Sequence, residues 1–133
     1  MELVSFELLK DYLLVKGHGV RHSNASMLEA TIATYKKVLE TQSRYLLVDY
    51  REVQINLDHV QAFNLIRTYE GNMPQLHQVI AACVFNNESK DFALYWQSIG
   101  RQRGFDIFIF ETIEQAEYWL EDKIATHKKT SSQ

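Results

Sequence analysis

The sequence predicts an α/β fold, a mixed and mostly parallel five-stranded sheet in the order ββαβαβαβα with four helices packed on it. Three observations predict it. Two strand-length runs open the chain, separated only by Lys10-Asp11, the spacing of a tight antiparallel hairpin. Beyond them, stretches with apolar residues at helical spacing alternate with short, continuously apolar runs. A strand apolar on both sides belongs in a parallel sheet covered on both faces. The connections are short and the single proline, Pro74, lies in one of them. The 133 residues therefore make one domain, large enough for a core without disulfide or metal.

Each element has its own signal. Residues 4–9 (VSFELL) and 12–18 (YLLVKGH) form the hairpin strands, and Gly17-His18-Gly19 marks a bend or a close backbone approach. Ser26 with Glu29 reads as a capping box opening the first helix, and Leu28, Ile32, Tyr35 and Leu39 as its buried stripe to about residue 41. Tyr45-Leu46-Leu47-Val48 is the next strand, ending at Asp49. Asp58 with Gln61 opens a second helix, buried through Ala62, Leu65, Ile66 and Tyr69 and closed by Gly71. Residues 78–85 form another buried strand, ended by Asn86-Asn87. A third helix over about 89–101 turns Phe92, Tyr95 and Ile99 inward. Gly104 precedes the last strand, Ile107–Phe110, and Thr112 with Gln115 caps a final helix to about 125 with Ile113, Ala116, Leu120 and Ile124 inward. The domain is expected over 1–126, with 127–133 a frayed polar tail.

Composition narrows function. A net charge of −3 offers no basic field for nucleic acid. No apolar run approaches the ~20 residues that span a bilayer, and the N-terminus is unlike a signal peptide, so the cytoplasm is expected. Cys83, the only cysteine, sits in an apolar run and reads as a buried small hydrophobe. His18 and His22 are four apart, but the neighbouring glycines argue against a helix that would align them as metal ligands. There is no GxSxG elbow, Walker loop or GxGxxG fingerprint. No enzyme, catalytic residue, cofactor or metal is expected. Lys90, Arg101 and Arg103 at the ends of the third helix read as solvated or capping cations. The aromatic pairs Tyr95-Trp96 and Tyr118-Trp119 cannot each lie on one stripe, although core filling accounts for most of the aromatics.

The strand end Leu46-Leu47-Val48-Asp49-Tyr50-Arg51, the strand Val79–Phe85 and the closing Arg103-Gly104-Phe105, Phe110, Ala116 and Trp119-Leu120 resemble the STAS-like, SpoIIAA-like family of small bacterial proteins. The resemblance spans nearly the whole chain and rests mainly on hydrophobic positions. It implies a STAS-like fold, the strand order of that fold, and action by docking onto partners. A related lineage shares architecture with lipid-transfer domains of the CRAL-TRIO type and binds apolar ligands. Phosphorylation-switched members carry Asp-Ser-Ser-Gly where this chain has Asn56-Leu57-Asp58-His59-Val60. The switch serine is missing, Asp58 falls at or next to its place, and an aspartate there suits the start of a helix.

Ligands of open parallel sheets gather at the carboxyl ends of the strands. The candidate partner or ligand site is therefore Asp49, Tyr50 and Arg51, with Asp58 and His59, Asn86 and Asn87, and Thr112. Two functions remain open. The leading one is a non-catalytic protein-interaction or regulatory module presenting the Asp58 helix and the 49–52 segment to a protein partner or a second copy. The alternative is a carrier of a small lipophilic or anionic ligand, which requires an aromatic-lined pocket between sheet and helices.

Overall fold

The computed structural model describes residues 3–131. Its elements are β1 (Val4–Leu8), β2 (Leu13–Arg21), α1 (Asn24–Thr41), β3 (Tyr45–Ile55), α2 (His59–Asn72), β4 (Ile80–Phe85), α3 (Lys90–Gln102), β5 (Asp106–Phe110) and α4 (Ile113–Ser131), with 3-10 turns at Pro74–Gln78 and Asn87–Ser89. The sheet runs β1-β2-β3-β4-β5. Only the hairpin pair is antiparallel, with Val4 opposite Gly17 and Leu8 opposite Leu13; the other three pairs are parallel.

Because each new strand is added on the same side of the last, crossovers of one hand place α1, α2 and α3 on one face of the sheet. The larger core lies there, where Met27, Leu65, Ile66 and Phe92 pack on Leu13, Val15, Leu46 and Cys83. Helix α4 covers the opposite face alone, setting Ala116, Leu120 and Ile124 against Leu47, Ile80, Ala82 and Val84. β4 consequently lies between helices on both faces, which explains its unbroken apolar sequence. Burying a leucine or isoleucine contributes about 1.5–3 kcal/mol; α4 buries Leu120 and Ile124 there, and its Ile113 and Trp119 pack beside them. Among the described residues, no helix is long and apolar enough to cross a membrane.

Several elements differ from their sequence reading. β3 does not stop at Asp49 but continues to Ile55, because β2 itself runs on to Arg21 and keeps pairing with it, His18 opposite Glu52 and Arg21 opposite Ile55. In that extension Val53 and Ile55 are buried while Glu52 and Gln54 face out, the alternation of a strand with one covered face. The register shifts between Lys16 and His18, where a bend was expected. α1 begins three residues early, on Ser23, whose hydroxyl accepts from the Ser26 amide. Its buried side is Met27, Ala30, Thr34 and Val38, not the Leu28 stripe, and Ile32 and Leu39 stay exposed. Small residues let this helix approach the sheet, and the Thr34 hydroxyl donates to the Ala30 carbonyl at 2.9 Å. α4 continues past 125 to Ser131. His127 Nδ1 meets the Tyr45 hydroxyl at 2.5 Å and Lys128 pairs with Asp11 at 2.6 Å, so residues 127 and 128 of the expected 127–133 tail are tied to the hairpin end of the sheet, while 132 and 133 lie outside the described residues.

Candidate functional site

The residues expected at the strand ends do not converge. Asp49 and Arg51 are two apart on β3 and share the α4 face, where they form a bidentate ion pair: Arg51 Nε and Nη2 donate to Asp49 Oδ1 and Oδ2 at 2.9 and 2.8 Å. The guanidinium holds the Asp49 carboxyl below its ordinary range, against the opposing effect of burial. Tyr50, between them, points to the opposite face and is buried.

Asn86 completes the sheet. Pairing of β3 with β4 stops at Tyr50 and Phe85, and the Asn86 amide then donates to the Arg51 and Val53 carbonyls at 3.2 and 2.8 Å. Its Oδ1 accepts from the Ser89 amide and caps the turn that Asn87 opens. Asp58 caps α2 through the expected box with Gln61. His59 stacks on Tyr95 at 4.0 Å and meets Asp91 at 2.9 Å, tying α2 to α3. Thr112 Oγ1 accepts from the Gln115 amide at the start of α4. Seven of the eight residues thus have local work in caps, turns and pairs, and Tyr50 alone reaches the core under the three helices.

Tyr50 lines a cavity of about 90 Å³ between the sheet and its three-helix face. The strands contribute Val15, Leu46, Val48, Ala81 and Cys83; α1 adds Met27, Thr31 and Thr34. Tyr69, Phe85, Trp96 and Phe105 complete an aromatic wall, with Leu76 of the first 3-10 turn beside them. Val48 and Ala81, in the middle of the two central strands, remain partly accessible, because the cavity leaves them uncovered. α2 packs along α3 and only grazes α1. The outer wall is therefore weakest between α1 and the 3-10 turn, where the Tyr35 hydroxyl is hydrogen-bonded to Gln75 Oε1.

The cavity is chemically quiet. Burial pushes both the Tyr69 phenol and the Cys83 thiol up to about 12, so both are neutral across the physiological range. The Tyr69 hydroxyl meets Trp96 Nε1 at 3.4 Å. Thr31 and Thr34 donate back to helix carbonyls, at 3.1 and 2.9 Å. Behind Tyr50 lies Arg21, with no exposed surface. Its Nη1 donates to the His18 carbonyl at 2.8 Å and its Nη2 to the Leu3 carbonyl at 2.9 Å. Its carbon Cζ is 5.6 Å from the Tyr50 ring centroid, and its Nε has no partner. Among the described residues, no three His, Cys, Asp or Glu side chains group as metal ligands.

Sequence reading missed most of this lining. Thr31 and Thr34 look polar, and their alignment with Met27 shows only once α1 is placed. One signal was present: Ala81 and Cys83, two apart and both small, leave one face of a central strand without bulk. No family model and no curated protein matches the chain.

Proposed function

We propose that this protein is a small-ligand-binding module that takes up an apolar molecule between its sheet and the helices α1 to α3. The observation that carries this reading is the aromatic-lined cavity beside Tyr50. Its lining is almost wholly apolar, so an apolar guest gains about 25 cal/mol for each Å² of apolar surface removed from water. Aromatic and aliphatic groups dominate that lining, with Asp106 at the exposed start of β5 as its one carboxylate, which favours carriage or sensing over catalysis. The resemblance to STAS-like proteins is part of the proposal, supported by the ββαβαβαβα order.

The test is extraction and mass spectrometry of protein purified gently from its own host, beside the cavity-narrowing variant Ala81→Val. A stoichiometric apolar molecule released by the wild type and depleted in the variant is expected. Equal release from both, or none from either, sinks the reading.

A protein-interaction module has narrower support: Val60, beside Asp58 and His59 at the start of α2, is 67% exposed. That reading expects Val60→Asp to abolish a self-association or partner complex seen by sedimentation, and a wild type that sediments only as a lone monomer counts against it.

A further inference from the structure

The charge at Arg21 bears on what the cavity selects. A guanidinium with no exposed surface normally lies against a carboxylate, because an unpaired buried charge is costly. Arg21 instead has two backbone carbonyls, the Tyr50 ring and an unsatisfied Nε. A guanidinium, charged in any protein, thus lies behind a cavity wall in which burial keeps the Tyr69 phenol and the Cys83 thiol neutral. The one carboxylate of the lining, Asp106, is exposed at the rim.

Tyr50 is the element between that charge and the cavity. Tyr50 belongs to the lining, and its ring lies against Gly17 of β2, where an added Cβ would stand 2.6 Å from its Cε1. Burial raises the Tyr50 phenol, and the Arg21 guanidinium opposes that rise by charge and hydrogen bonding. A phenol next to a cation is a stronger donor, and among the described residues its hydroxyl proton finds no acceptor.

We propose that the cavity selects an apolar ligand ending in a carboxylate, a single-ring or short-chain organic acid whose carboxylate accepts from the Tyr50 hydroxyl, with Arg21 as the positioning charge behind it. The inference rests on the ligand-binding reading above and goes further in assigning polarity and orientation. Two features support a carboxylate over an alcohol or amine. The buried positive charge favours an anion and opposes a cation in a medium of low dielectric. The Tyr50 hydroxyl, given no acceptor by the described residues, favours a ligand end that accepts from it over one that cannot.

Four probes of similar size separate the cases by titration calorimetry on the intact protein: benzoate, benzyl alcohol, benzylamine and toluene. Benzoate is expected to bind at least tenfold tighter than benzyl alcohol, with benzylamine weakest. Tyr50→Phe should remove the preference for benzoate while leaving toluene binding in place. Arg21→Lys, which keeps the charge, should preserve more of the preference than Arg21→Met, in variants shown to fold by circular dichroism. Toluene or benzyl alcohol binding as tightly as benzoate overturns this inference and leaves the cavity reading standing. So does a preference that survives Tyr50→Phe. Binding of none of the four overturns both.

Discussion

Gly17 and Tyr50 face each other across β2 and β3, and the missing side chain of one makes room for the ring of the other. A methyl group at Gly17 would also stand 2.8 Å from Val53 Cγ2, so neither neighbour can yield cheaply. Gly17→Ala is expected to cost about 1–3 kcal/mol, read as a lower urea midpoint with an unchanged slope. On the other face, Asp49 has its carboxyl held low by Arg51. A depressed folded-state pKa contributes stability that is complete above the unfolded value of about 3.9 and is lost as the pH falls through the lower folded value. Arg51 is half exposed, which limits the contribution to about 1 kcal/mol or less. Arg51→Ala should lower the melting temperature at neutral pH, and that difference should shrink and vanish as the pH falls below the ordinary carboxylate range. These three neighbours also show where residue-level reading stopped. Asp49, Tyr50 and Arg51 were grouped as one strand-end cluster; a strand continuing through them sends alternate side chains to opposite faces, and that continuation is set by pairing with β2, a contact distant in sequence.

Helix α2 was legible because its signals agree: Asp58 and Gln61 cap it, and Ala62, Leu65, Ile66 and Tyr69 form a single buried stripe. Helix α1 carries two competing stripes. The bulkier one, Leu28 to Leu39, won on hydrophobicity, whereas the structure buries the slimmer one because Ala30 and Thr34 permit close approach to the sheet. Its start was misplaced for a related reason: Ser23 and Ser26 both suit a cap, and only the backbone shows that Ser26 is already in the first turn. In α4 the inward residues Ala116, Leu120 and Ile124 followed from periodicity, but the last turns contain no apolar residue to extend the pattern. They are held by His127 on Tyr45 and Lys128 on Asp11, contacts that span the chain. Truncation after Ala125 is therefore expected to lower stability by about 1 kcal/mol, in line with a net hydrogen bond and an exposed ion pair, as measured by thermal melting.

For the molecule as a whole, the fold class was readable because a hairpin followed by strict alternation leaves few topologies open. The cavity was not, since a void depends on how separately legible elements fit together. It sets stability against binding: Ala81→Val is expected to raise the free energy of unfolding by about 1 kcal/mol while weakening ligand uptake, measured by denaturation and calorimetry on one preparation. The division of the apolar residues into two cores, joined only by the sheet, has a further consequence for deuterium exchange. Amides of β4, hydrogen-bonded between two strands with helices over both faces, are expected to be last to exchange. Helix α4 lies against the sheet without touching the cavity, so its amides open on their own schedule. A guest between α1 and the 3-10 turn slows exchange on that face alone, and α4, in the same molecule and the same spectrum, serves as the unperturbed clock against which that slowing is timed.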